Sequence, residues 1–363
     1  MTIHVWYLMI FSTAAVLTQP LMRLAERIGT SAGVVDRPRL GEVQTHVVPR
    51  TGGYAVFVAV WAAVLVSFAA SAPGVEHLSA DNERLVGVFL GSVALLPLAM
   101  VDDVRRLGPG AQISWQIVAA AIPTLFGLRM DEIATPFGIV SLPEAAAITL
   151  AVVWVVAMIN AINLLDTMDG MATGVAGIAC LVLFVRTVWF SQASIAVLPL
   201  ALGGACLSFL QRNWHPSKVI LGSSGSLFLG YLLGVITVIG GAKIGTAFLV
   251  LAVPILDVAW VMYRRVASGR SPFRGGDGQH LPHRLRVLGL SDRRIVLLVY
   301  AVCALIGAAV LAMHSILPTI QKAYLAAVVV AGVSAMLVLV GRATARLGSS
   351  PDPTAPITHR REP

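Results

Sequence analysis

AAAITLAVVWVVAMINAINLLDTMDG, residues 145–170, holds the two features that decide how this chain is built. Residues 145–163 carry no charge, and about 20 such residues in a helix cross the roughly 30 Å hydrocarbon core of a bilayer. The stretch then ends in Asn160, Asn163, Asp166 and Asp169, each three residues after the last. On a helix that spacing keeps the four side chains close to one face. A membrane-length apolar segment therefore terminates in a row of oxygen-bearing groups.

The pattern outside this stretch repeats the first feature. The 363 residues are 57% hydrophobic and 12% charged, about half the charged fraction of a soluble domain. Apolar runs at 4–23, 52–70, 85–101, 112–127, 145–163, 172–190, 193–211, 219–240, 243–262, 294–313 and 322–341 predict an all-α, polytopic transmembrane bundle of about eleven spans by the length rule. No strand alternation supports a β-barrel. The first run lacks a basic leader and a small-residue cleavage site, and reads as a retained helix. The expected organisation is one integral membrane domain over 1–342 and a disordered tail over 343–363.

Basic residues fix the expected orientation. With the N-terminus outside, 21 of the 26 Lys and Arg fall on one side of the bilayer, including Arg50, Arg105, Arg212, Arg264 and Arg284. That side is cytoplasmic by the positive-inside bias, which places the C-terminus there too. The formal charge of +8 is mostly this bias and needs no nucleic-acid partner. Cys180, Cys206 and Cys303 lie inside apolar runs without metal-ligand spacing and read as buried small residues.

Five of the 18 acidic residues sit within or at the cytoplasmic ends of the runs: Asp102, Asp103, Asp166, Asp169 and Asp257. A carboxylate there is costly unless paired, hydrated or metal-bound, and marks a site. Asp102-Asp103 is a weak signal alone, since Arg105 and Arg106 could neutralise it. The Asn160–Asp169 row suits a polyfunctional ligand or an oxygen-coordinated metal, against the simpler reading of an interhelical hydrogen-bond seam. Gly222-Ser223-Ser224-Gly225-Ser226 opens a span, where free backbone N–H groups could cradle an anion or small residues could pack between helices. Arg264, Arg265, Arg274, Asp277, His280, His283 and Arg284 share one loop, and arginine forks match phosphate oxygens. A zinc pair at His280-x-x-His283 would need a third ligand, and only Asp277 stands near it in sequence.

Taken in order, these segments resemble the polyprenyl-phosphate N-acetylhexosamine-1-phosphate transferases, nearer the GlcNAc-1-phosphate branch than the muramoyl-pentapeptide branch. The similarity runs from Asp36-Arg37-Pro38, His46 and Gly52-Gly53 through Asp102-Asp103 with Gln116, Asn160–Gly174, Asn213…Pro216 and Gly222…Gly230, to Ser271-Pro272-Phe273, His280…Leu285 and Gly289-Leu290-Ser291. It implies transfer of a sugar-1-phosphate from a UDP-sugar to undecaprenyl or another polyprenyl phosphate, with release of UMP. The setting would be the cytoplasmic face of the inner membrane, in a chain that could pair as a homodimer. It also implies Mg²⁺, or Mn²⁺ in its place. Asp102 and Asp103 would be catalytic, and Asn160, Asn163, Asp166, Asn213, His280, His283 and Arg284 would bind substrate. Asp166, Asp169 and Ser223 would stand at the metal.

Three positions depart from the family pattern. Ser223 replaces a metal-binding aspartate, and lysines usual beside His46 and shortly after Asp103 are missing. A serine supplies no charge to a site that often depends on one or two carboxylates. The departures leave room for a catalytically weak relative that binds UDP-sugar or polyprenyl phosphate as a scaffold, with Ser223 as the discriminating residue. A transporter would instead need the acidic row to open on both membrane faces.

Overall fold

The computed structural model describes residues 2–37, 47–70, 78–105, 107–135, 138–190, 192, 194–239, 244–269, 280–314 and 319–346. In chain order these form α1 (Ile3–Ala32), a short hairpin of β1 (Val35–Asp36) and β2 (Val48–Pro49), α2 (Gly52–Ala69), α3 (Leu78–Arg105) and α4 (Pro109–Ala121). A 3₁₀ turn (Ile122–Phe126) leads to a second hairpin of β3 (Glu132–Thr135) and β4 (Gly138–Ser141). Then come α5 (Glu144–Leu165), α6 (Met171–Trp189), α7 (Val197–Asn213), α8 (Gly222–Ile239), α9 (Ile244–Val250), α10 (Ala252–Ala267), α11 (Leu281–Val287), α12 (Asp292–His314) and α13 (Thr319–Arg346).

Among the described residues, eight helices are long and apolar enough to cross a membrane: α1, α2, α3, α5, α6, α8, α12 and α13. The chain is a multi-pass helical membrane protein. Three of the eleven expected runs take a different form. Residues 112–127 become the 13-residue α4 and a 3₁₀ turn ended by Gly127 in the left-handed region, with Pro123 unable to continue the α ladder. The run at 193–211 yields the 17-residue α7. The run at 243–262 divides at Leu251 into α9 and α10. Helix α13 continues to Arg346, four residues past the expected end of the membrane domain.

Helix α8 is the axis. Every residue from Gly222 to Val238 is buried, because α2, α3 and α5 pack around it. Glycine sets how closely. A Cβ on Gly230 would stand 2.6 Å from Ile159 Cα, and one on Gly53 would stand 2.0 Å from Gly225 N. The four-residue spacing of Gly230 and Gly234, both against α5, is the small-residue seam by which bilayer helices gain van der Waals contact. Tyr231 on the opposite side donates to the Val88 carbonyl of α3 at 3.0 Å. These contacts fix where the polar start of α8 lies.

Candidate active site

The start of α8 is gripped by the end of α3. Asp103 Oδ1 accepts the Ser223 N–H at 2.7 Å and Oδ2 the Ser224 N–H at 3.4 Å, and its side chain is 1% exposed. Asp102 Oδ2 accepts the Ser223 hydroxyl at 2.5 Å, while Oδ1 accepts from Leu107 N–H at 2.8 Å and Gln112 Nε2 at 2.7 Å. The two neighbouring carboxylates thus escape mutual repulsion by facing separate sets of donors. The free N–H groups of this helix start are taken by the Asp103 carboxylate, and glycine packs against glycine beside them. Gly222 has φ 68°, and a Cβ there would meet the Arg50 carbonyl at 2.1 Å, so only glycine fits this turn.

Arg50 is the cation of the cluster, 3.6 Å from both Asp103 and Asp36. Sequence reasoning counted it only as part of the charge bias. Its signals were its place next to Thr51-Gly52-Gly53 and the paired acid in Asp36-Arg37-Pro38.

Asp166 lies just past the last residue of α5, half-buried. Its carboxyl is pushed up to about 7, mainly by lost hydration. The charges of Asp169 and Asp103 add to the rise and Arg50 opposes it. Asp166 accepts no hydrogen bond among the described residues. Asp169 is differently employed: it accepts from Ser217 Oγ at 2.7 Å, Ser217 N–H at 3.1 Å and His215 Nδ1 at 2.9 Å. It therefore shapes the loop between α7 and α8.

Asn213 completes that loop. Its Oδ1 accepts from Gly170 N–H at 3.1 Å and Thr173 Oγ1 at 2.9 Å, and its Nδ2 donates to the Val219 carbonyl at 3.1 Å. It is 2% exposed, so it holds the frame behind the site. Asn163 accepts from Ser226 Oγ at 2.8 Å. Asn160 donates to Gln116 Oε1 at 2.6 Å and to the Val156 carbonyl. The polar row of α5 thus divides, Asn160 and Asn163 forming an interhelical seam and Asp166 alone left uncommitted.

The histidine segment forms a second cluster. Asp257 of α10 accepts from His280 Nδ1 at 2.9 Å, Leu281 N–H at 2.9 Å and Arg284 Nη2 at 2.8 Å. Arg284 also donates to the Leu337 carbonyl of α13 at 3.2 Å. Sequence reasoning marked Asp257 as an intramembrane acid but did not assign it to the site. His280 Nε2 and Arg284 Nε are buried without a hydrogen-bond partner among the described residues. Burial, Arg286 and His280 hold the His283 imidazole below its ordinary value. No described side chain of this cluster bonds directly to Asp102, Asp103 or Asp166. Arg293 at the start of α12 donates to the His215 carbonyl at 3.0 Å and so ties α12 to the loop that carries Asp169's partners. His46, Ser271–Arg274 and Asp277 lie outside the described residues.

No group of three His, Cys, Asp or Glu among the described residues stands ready to enclose a metal. The donor set fits a cation that draws most of its ligands from elsewhere: Asp166 is free, whereas Ser223 and Asp169 are engaged. Magnesium sites of that kind use one or two carboxylates with water and substrate phosphates.

Fold and site together define a polytopic membrane protein with a carboxylate-rich centre at one end of its helices. The chain matches Glycosyl transferase family 4 over residues 85–241. It is 30% identical to a decaprenyl-phosphate N-acetylglucosaminephosphotransferase of Mycobacterium tuberculosis, over 91% of this chain and 88% of that protein. It is also 30% identical to a probable undecaprenyl-phosphate N-acetylglucosaminyl 1-phosphate transferase of Bacillus subtilis, over 77% of each. A Salmonella typhi undecaprenyl-phosphate alpha-N-acetylglucosaminyl 1-phosphate transferase is 28% identical over 80% of each chain. The chain belongs to glycosyl transferase family 4.

Proposed function

We propose that this protein transfers N-acetylhexosamine-1-phosphate from a UDP-sugar to a polyprenyl phosphate, working from the cytoplasmic face of the membrane. An oxygen of the lipid phosphate forms a bond to the β-phosphorus of the donor. The bond from that phosphorus to the α–β bridging oxygen breaks, and UMP leaves with the electron pair. The lipid keeps a diphosphate-linked sugar.

Such a reaction asks a protein mainly for positioning and charge neutralisation. Asp166 carries the reading: a half-buried carboxylate that accepts no hydrogen bond among the described residues, within electrostatic reach of Arg50, Asp103 and Asp169. It would hold Mg²⁺, which when bound supplies positive charge to the diphosphate. Arg50 offers a fixed guanidinium for phosphate oxygens. Asp102 and Asp103 keep the start of α8 and Arg50 in place around the reacting groups. The Asp257-anchored His280, with its Nε2 unpaired, suits the sugar or diphosphate.

The test is direct. Purified protein with Mg²⁺, undecaprenyl phosphate and a panel of UDP-N-acetylhexosamines should release UMP. Absence of turnover with every donor and every divalent metal overturns the proposal.

A further inference from the structure

Helix α1 changes character partway along. Residues 5–22 carry no charge, and Arg23, Glu26 and Arg27 follow within five residues. Its 30 residues span about 45 Å, well over the roughly 30 Å of hydrocarbon. The charged end therefore stands at headgroup level. There Arg23, Glu26, Arg27, Thr30 and Ser31 of α1 and Arg212 of α7 line a cavity of about 500 Å³.

The cavity has a rigid floor and an unbalanced charge. Below it, Gln19 Nε2 donates to Ser208 Oγ at 3.0 Å and Gln211 Oε1 at 3.2 Å, tying α1 to α7. Arg212 pairs with Glu26 at 2.5 Å, yet its Nε is buried without a partner. Arg23 and Arg27 have no carboxylate partner among the described residues. Three guanidinium groups thus face one carboxylate, with two hydroxyls beside them. Leu24 and Ile28, 52% and 55% exposed, follow Arg23 and Arg27 by one residue each and form the neighbouring apolar face of α1, beside the cavity. Basic groups set beside apolar ones at this depth match a phosphate joined to acyl chains.

We infer that the Arg23–Arg27–Arg212 cavity binds the phosphodiester headgroup of an anionic membrane phospholipid, with Leu24 and Ile28 against its acyl chains. The occupant would brace the end of α1, which Thr51 clasps by donating to the Ala25 carbonyl at 2.6 Å, one residue from Arg50.

The test is native mass spectrometry of the full-length protein in detergent with added phosphatidylglycerol or phosphatidylcholine. Wild type should retain phosphatidylglycerol preferentially. Arg23→Gln/Arg27→Gln should lose about tenfold of that retention, since each basic group contributes severalfold to anionic-lipid binding. Both residues are exposed, and an unchanged thermal midpoint in detergent alone verifies that the variant folds. Equal retention by wild type and variant overturns the inference. So does displacement of the lipid by millimolar inorganic phosphate, which would mean a site for free anions. A variant that keeps phosphatidylglycerol but shows a raised KM for polyprenyl phosphate assigns the cavity to the acceptor and overturns it as well.

Discussion

Asp103, at the end of one helix, caps the first turn of another 120 residues later through the Ser223 N–H, 2.7 Å from its Oδ1. The capping group is a side chain from a neighbouring helix, so losing it loosens a helix–helix joint as well as a helix end. Asp103→Ala should lower stability by about 1–2 kcal/mol, as for a lost cap, and abolish UMP release. Thermal unfolding in detergent beside a UMP-release assay measures both.

Ser223→Asp tests the residue that departs from the family pattern. The Ser223 hydroxyl lies against Asp102 Oδ2, so an aspartate would bring a third carboxylate to Asp102 and Asp103. Repulsion among like charges predicts a lower thermal midpoint in EDTA. Millimolar Mg²⁺ should restore it by neutralising the group. A variant indifferent to Mg²⁺ would mean that no cation reaches this corner.

Acidity should act through Asp166. Its carboxyl titrates at about 7 in the folded protein, above the usual carboxylate range. Between the two values the folded state binds more protons than the unfolded one, so metal-free stability should rise as the pH falls from 8 towards 5. Cation binding should weaken over the same interval, since the proton competes for the carboxylate. Asp166→Asn should flatten the stability profile while abolishing activity. Thermal midpoints across pH in EDTA, with magnesium titrations at pH 6 and 8, measure each part.

Asp257→Ala should be among the most damaging single changes outside the reacting centre. It strands Arg284, 6% exposed, and breaking a buried pair in this way costs roughly 3–5 kcal/mol. Asp257→Asn keeps one acceptor oxygen, able to serve Leu281 N–H and Arg284 Nη2, and should retain more of the fold. Comparing the two midpoints separates loss of charge from loss of shape.

Asn213→Ala removes three buried hydrogen bonds and leaves Gly170 N–H and the Val219 carbonyl unsatisfied, at about 1–3 kcal/mol for each stranded group. Stability should fall before substrate affinity does. A variant of native stability with a raised donor KM would return Asn213 to direct contact.

Membrane class and most helices were legible because apolar length is a local property, readable one segment at a time. The run at 243–262 was not: its division at Leu251 interrupts backbone geometry without interrupting hydrophobicity. The same distinction holds at the site. Spacing put Asn160, Asn163, Asp166 and Asp169 on one helical face, but α5 ends at Leu165 and leaves Asp166 and Asp169 beyond it, and spacing could not say what each would meet. Asn160 meets Gln116, Asn163 meets Ser226 and Asp169 meets Ser217, partners 44, 63 and 48 residues away. Arg50 stayed hidden for that reason, one basic residue among many until Asp103 is beside it. The cysteines, expected to be buried small residues, are buried.

The glycine contacts of α8 bear on where such a protein could change over time. Its interior has no slack: at Gly53, Gly225 and Gly230 even one added methyl group collides with backbone. Change that the fold can absorb is therefore confined to the margin, away from this packed axis. A lineage could revise its outer surfaces while its centre stayed unchanged.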